Sequence, residues 1–257
     1  MNNFLQVNRE NLGKYREVIR AAIKIVAIIV CVCGVYYIYI NRHVKFQDPN
    51  MAYEISRTIG EDVEPEDVRY KDVYAIKELD IGYPGKYDTL KDIELCKNLQ
   101  RLAVNGGGDK WKPLKSKEDI QFLTNKQTHQ YQNELSEIVP KLRKLKDFSF
   151  TNIYGNCSIS NFDFLAECHK IEVLWICYSE VDNFKFLYEN TKIKEINLWG
   201  SNIKSADDLK PMSKLESICI FDTPLSEDET EVESLCEAFP DAKIFISADR
   251  LQNDDRR

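Results

Sequence analysis

Apolar and polar positions alternate along the second half of the chain in a pattern that is written three times. Ile171, Leu174 and Ile176 are followed 22 residues later by Ile193, Ile196 and Leu198, and after another 22 by Leu215, Ile218 and Ile220. A further aliphatic residue recurs at one offset from each triple: Val181, Ile203 and Leu225. Residues that alternate on a strand point one face inward, and the later aliphatic fills the bend behind it. One such unit cannot bury its own face, so the units must stack as coils.

The same triple extends the series toward the N-terminus, at Ile76/Leu79/Ile81, Leu99/Leu102/Val104 and Leu145/Phe148/Phe150. Successive spacings are 23, 46, 26, 22 and 22 residues. An apolar residue stands six positions before most strands, namely Ile93, Val139, Leu165, Leu187 and Leu209. A period in the low twenties built on L-x-x-L-x-L is the leucine-rich-repeat pattern. The predicted fold is therefore an α/β leucine-rich-repeat solenoid of about seven coils with a parallel sheet on its concave side. The repeats are expected over residues 76–225, and residues 226–257 should form a C-terminal cap and tail. In that cap Ser226 to Glu229 reads as a capping box, Val232, Leu235, Cys236 and Phe239 share a helix face, and Ala242, Ile244 and Ile246 alternate as a last strand.

The spacing of 46 marks an insertion at about 106–134, opened by Gly106-Gly107-Gly108. No triple stands near residue 122, so a helical excursion projecting from the solenoid is expected rather than a degenerate coil. Leu135, Ile138, Val139 and Leu142 restore helical periodicity at its end.

Ahead of the coils, residues 41–75 read as a tether and a helical cap. Asp48 can cap a helix that begins at Pro49, carries Met51, Ile55 and Ile59 on one face and ends at Gly60. The run Phe46-x-Asp48-x-x-Met51-x-x-x-Ile55-x-x-x-Ile59, then Glu66-Asp67-Val68, then Ile76 to Ile81, resembles the N-terminal cap and first strand of internalin-like bacterial leucine-rich-repeat proteins. The likeness covers roughly residues 44–105 and 142–247. It implies a curved solenoid displayed at the cell surface for protein binding. One departure concerns the turns: regular repeats carry Asn where this chain has Ser179, Ser201 and Thr223, and hydroxyls offer fewer hydrogen bonds. The coils should be less regular there, with Asn202 compensating in one.

Residues 21–40 change the picture at the other end. Ile25 to Ile40 is free of charge, Lys24 can snorkel, and twenty helical residues cover roughly 30 Å, the thickness of a bilayer core. The segment ends in Tyr36, Tyr37 and Tyr39 rather than in a small-residue cleavage site, which favours an uncleaved anchor over a signal peptide. Arg9, Lys14, Arg16, Arg20 and Lys24 outweigh Arg42 and Lys45 across it, so the expected topology is single-pass in the cell membrane, with residues 1–20 as a cytoplasmic tail and the body extracellular.

Charge separates the two parts. Residues 1–45 carry a net +5, and the remainder of the chain −12. An acidic body lacks the basic face that phosphate neutralisation needs, so no nucleic-acid partner is expected. Nor does the sequence hold an enzymatic constellation. His43, His129 and His169 are isolated, and the triple glycine leads into Asp109-Lys110-Trp111 instead of a phosphate-binding helix start. No metal or cofactor and no catalytic residue is predicted. Cys96, Cys168 and Cys236 read as core thiols, while Cys177 and Cys219 fall two coils apart, too far for a disulfide.

What remains is the displayed face. In the three central coils it comprises Val173, Trp175 and Cys177; Glu195, Asn197 and Trp199; and Ser217, Cys219 and Phe221, with Tyr178 at the edge. Trp175 and Trp199 lie diagonally within reach of one another. The predicted ligand-binding residues are Trp175, Tyr178, Glu195, Asn197, Trp199 and Phe221, because outward aromatics dominate protein-binding hot spots. The function that follows is non-enzymatic: a membrane-anchored protein recognising a protein ligand at the cell surface. The alternative is a structural or regulatory subunit of a membrane protein complex.

Overall fold

A computed structural model describes residues 2–82, 84–104, 122–152, 155 and 157–247. The chain divides into two units, Met1–Val44 with Arg69–Lys71, and Lys45–Val68 with Asp72–Arg257.

The first unit is dominated by helix α1 (Asn2–Ile40). Its Ile19–Ile40 stretch is long and apolar enough to cross a membrane by length and composition, and none of its apolar window is buried. At the end of this helix the Arg42 carbonyl accepts from the Tyr70 amide at 3.1 Å, His43 bridges antiparallel to Arg69, and the Tyr39 and Tyr70 rings stack with centroids 4.9 Å apart.

The second unit is a leucine-rich-repeat solenoid. Seven strands among the described residues form one parallel sheet in sequence order: β1 (Glu78–Ile81), β2 (Arg101–Val104), β3 (Asp147–Thr151), β4 (Val173–Cys177), β5 (Glu195–Asn197), β6 (Ser217–Cys219) and β7 (Lys243–Phe245). The middle residues of the sequence triples pair in one line: Leu79, Leu102, Phe148, Leu174, Ile196, Ile218 and then Ile244. From Leu79 through Ile218 every member of that line is buried, as are Val181, Ile203 and Leu225 behind the bends. The return side is a row of short 3-10 turns, among them Lys91–Leu95, Asp163–Glu167 and Lys185–Glu189. The apolar residues six before the strands, Ile93, Val139, Leu165, Leu187 and Leu209, are all buried beneath that row. Phenylalanines fill the central coils, with Phe150 edge-on to Phe162 and Phe162 tilted against both Phe164 and Phe186.

The cap helix α2 (Pro49–Ile59) starts as its sequence dictates, with Asp48 accepting from the Met51 amide at 2.7 Å and Pro49 in the first turn. Met51 and Ile55 are fully buried. Gly60 closes the helix by donating to the Ser56 carbonyl at 3.0 Å, from an extended conformation rather than a left-handed one. Asp48 also accepts from the amides of Asp88 and Thr89, and Asp92 accepts from those of Gln47 and Asp48. These buried carboxylates tie the cap to the first coil.

The 46-residue spacing resolves without an added strand, because β2 pairs directly with β3. Helix α4 (Asn125–Ile138), which follows the six-residue helix α3 (Tyr70–Ala75) in the chain, joins the return side instead of projecting from it. Tyr131, Leu135 and Ile138 are buried, so the helix has an apolar face to lay against the row of turns. Its polar residues reach both neighbours. Glu134 accepts from Thr89 Oγ1 at 2.8 Å and from the Leu90 amide at 2.7 Å on one side. On the other, Gln132 donates to the Asn161 carbonyl. The expectation for Gly106 to Gly108 falls outside the described residues.

Helices α5 (Pro224–Glu227) and α6 (Glu229–Ala238) precede the last strand. Leu235 and Phe239 are buried here, but Cys236 is exposed. Its expected core placement is corrected by the one-residue rotation, about 100° on a helix, that separates it from Leu235. Cys96 and Cys168 are buried as expected, and each described cysteine is a free thiol.

Candidate functional site

Residues between the buried members of each triple face outward, and the sheet register sorts them into rows that cross the coils. The first row runs Glu78, Arg101, Asp147, Val173, Glu195, Ser217 and Lys243. The second runs Asp80, Ala103, Ser149, Trp175, Asn197, Cys219 and Phe245. Cys177, Trp199 and Phe221 follow two residues further along their coils and form a third. Acidic side chains gather on the first coils and aromatic ones on the later coils.

All six predicted binding residues lie on this outward side and are half-exposed. Three of them make a ladder of rings. Trp199 sits between Tyr178, at a centroid distance of 5.3 Å, and Phe221, at 5.0 Å, both tilted. Asn197 supports the middle rung by accepting from the Trp199 amide at 3.1 Å. Trp175, expected within reach of Trp199, is not part of this ladder. Its indole N–H instead donates to Glu195 Oε1 at 2.9 Å, so it is held against the first row.

The ladder is positioned by a repeated backbone device. Tyr178, Gly200 and Asp222 occupy one offset in successive coils, and all three are left-handed, with φ of 54°, 67° and 56°. This conformation turns the chain sharply off the strand and is costly for residues with a Cβ. The Tyr178 ring lies directly on Gly200, where a Cβ would come within 2.7 Å of it. The residue after each left-handed position is a buried hydroxyl. Ser179 donates to the Cys177 carbonyl at 3.0 Å and Thr223 to the Ile220 carbonyl at 2.6 Å, whereas Ser201 Oγ has no hydrogen-bond partner. Asn202 compensates in that coil as the sequence suggested, clamping the amide and carbonyl of Val181 at 2.9 and 3.1 Å.

Burial sets the protonation chemistry of the face. It pushes the Cys177 thiol up to about 12 and raises Cys219, so neither supplies a thiolate. Tyr178 is raised by desolvation first and by nearby Cys177 and Asp222 after it. Asp147 is raised by desolvation and by the like charges of Glu195 and Glu78, against the lowering effect of Arg101. No group of three His, Cys, Asp or Glu is arranged to hold a metal ion among the described residues.

The charged part of the face lay within reach of sequence reading but was missed. Glu78, Arg101 and Asp147 fill the same positions of their triples that Val173 and Glu195 fill in the central coils, and the register alone shows that they share a row. The left-handed offset carried only a weak sequence signal, because a single glycine, Gly200, marks it.

No protein-family model and no curated protein matches the chain. Solved structures similar to it include an internalin C2 from Listeria monocytogenes, 18% identical, with a TM-score of 0.47 over 79% of this chain and 93% of that one. Another internalin from Listeria monocytogenes is 14% identical, with a TM-score of 0.34 over 81% of this chain and 77% of that one. A leucine-rich-repeat protein of Leptospira interrogans is 14% identical, with a TM-score of 0.32 over 68% of this chain and 62% of that one. At these similarities the assignment of this chain to the leucine-rich-repeat fold stands on its own coils: the in-register line of buried residues from Leu79 to Ile244 and the row of turns behind it.

Proposed function

We propose that the chain is a membrane-anchored recognition protein that binds another protein through the outward, concave face of its sheet. The observation that carries this reading is the Tyr178–Trp199–Phe221 ladder, half-exposed on a rigid sheet. Large aromatic side chains held together and partly open to solvent on a sheet face supply the area and the low entropic cost that protein-binding hot spots require. The acidic charge of the body weighs against a phosphate-backbone partner on electrostatic grounds. Ile19–Ile40 supports insertion of residues 21–40 into the bilayer, and the basic residues before it support a cytoplasmic N-terminus with the body at the cell surface.

Two measurements test this. Protease treatment of intact cells should remove the solenoid while leaving the N-terminal segment with the membrane; a protected solenoid would refute the surface location. A photocrosslinker at Asn197 should capture one dominant protein, and Trp199→Ala should weaken its binding by about 2 kcal/mol, roughly thirtyfold, with the fold retained. Unchanged binding in Trp199→Ala would refute the face.

A further inference from the structure

The first row of the outward face alternates in charge and then loses its alternation. On β1 to β3 a guanidinium stands between two carboxylates. Arg101 lies 3.6 Å from Glu78 through one terminal nitrogen and 3.3 Å from Asp147 through Nε. The next three places repeat the frame with the cation missing: Asp147 and Glu195 flank Val173 in register. Strand spacing of roughly 4.8 Å puts the two acidic backbones about 10 Å apart, with a short branched side chain between them. That separation matches the one Arg101 already spans between Glu78 and Asp147.

Other features complete the arrangement. Trp175, two residues beyond Val173 on the same face, presents its indole beside the gap, and its N–H bond to Glu195 fixes that carboxylate in place. Glu78, Asp147 and Glu195 oppose a single guanidinium along this stretch, leaving two negative charges in excess. The ammonium groups of Lys146 and Lys194 belong to the preceding position of the coils and are drawn to Glu172 at 2.9 and 3.8 Å. Asp147 feels both acidic neighbours as like charges.

We propose that the gap over Val173, walled by Asp147, Trp175 and Glu195, is a subsite for one arginine side chain of the partner protein. The proposal rests on the recognition reading of the face and specifies its chemistry. A guanidinium restores the alternation of charge, donates to carboxylates on both edges and stacks its plane on an indole, a combination that no neutral or acidic side chain offers. The apolar neighbours of that arginine then fall on the Trp199 ladder two rows further along.

The test uses the full chain in detergent micelles and a short fluorescent probe, acetyl-Phe-Arg-Phe-amide, beside its analogue with citrulline, which keeps the shape of arginine and removes its charge. At low ionic strength the arginine peptide should bind at least about tenfold tighter. Asp147→Asn and Glu195→Gln should each reduce that ratio at least about threefold. Val173→Arg should abolish it by filling the gap from within, while circular dichroism and melting show an intact fold. Equal binding of the two peptides, no binding of either, or a preference that survives Val173→Arg would overturn the subsite. If both peptides bind equally and Trp199→Ala weakens both, the subsite is wrong and the aromatic recognition face is not.

Discussion

Gly200→Ala is the most informative single change, because two independent penalties meet at one atom. The residue is left-handed at φ 67°, and the added methyl would lie 2.7 Å from Tyr178 Cδ1, with Cε1 at 3.1 Å and Cγ at 3.3 Å. Holding alanine in that conformation costs about 1 kcal/mol. The overlap involves the body of the ring, so Tyr178 must move and give up its packing on Trp199, worth roughly 0.5–1.5 kcal/mol. The sum is about 2 kcal/mol, which lowers the melting temperature of a body this size by roughly 4–8 °C. Circular dichroism melts and urea titrations of the full chain in detergent measure it, with tryptophan fluorescence reporting the displaced ring. In a Tyr178→Ala background the steric part disappears, and the penalty of Gly200→Ala should fall to about 1 kcal/mol. A penalty below about 0.5 kcal/mol, or one unaltered by Tyr178→Ala, would refute the argument that the turn and the ring share this glycine.

Other expectations concern carboxylates and thiols. Glu134→Ala strands the buried Leu90 amide and should cost about 1–3 kcal/mol by urea unfolding; a neutral result would mean that α4 is not held to the first coil by this bond. For Asp147 the folded carboxyl titrates above its unfolded value, so the protonated form favours the fold, and this contribution is present below the unfolded value and lost as pH rises through the folded one. Asp147→Asn should therefore be no less stable than the parent at neutral pH and should flatten the decline over that acidic window; denaturant midpoints measured against pH would contradict this if the variant were the weaker at pH 7. Among the cysteines of the solenoid, exposed Cys236 should be alkylated first in the native protein, well ahead of Cys96 and Cys177, both buried and titrating near 12; peptide mass mapping that found either modified ahead of Cys236 would contradict the packing.

The coils were legible because their information is local and periodic. Each triple carries its own strand, and Leu79, Leu102, Phe148, Leu174, Ile196 and Ile218 fell into one line without any knowledge of pairing. The cap was legible for the same reason, since Asp48, Pro49 and the face of Met51 and Ile55 are neighbours in sequence. The insertion was half legible. Its helix could be inferred from Leu135, Ile138 and Val139, but its placement depends on where Tyr131 and Glu134 find partners, and those partners lie about 45 residues earlier, around Tyr87 and Leu90. Cys236 was misplaced because periodicity identifies a stripe on a helix, whereas tertiary packing decides which edge of the stripe is covered.

The outward face shows the same division. That Trp175 and Trp199 point away from the core follows from alternation, but their partners do not: Trp175 turned to Glu195 because a half-buried indole N–H seeks an acceptor, and Trp199 met Tyr178 because the chain leaves the strand through a left-handed residue. Three successive coils use that turn, yet only one has glycine. Tyr178 and Asp222 hold it with a Cβ present, and the hydroxyl that follows each of them donates to a backbone carbonyl two or three residues back, Ser179 to Cys177 and Thr223 to Ile220, where the more regular repeats place an asparagine. At Ser201 that bond is absent, and it is there that the chain supplies both glycine and Asn202. The coil with the weakest hydroxyl thus has the least strained backbone and an added clamp, and it also carries Trp199. On the recognition role proposed for Trp199, a fixed platform matters more there than at an average residue, and the irregular turn chemistry places its added support at the middle rung of the ladder.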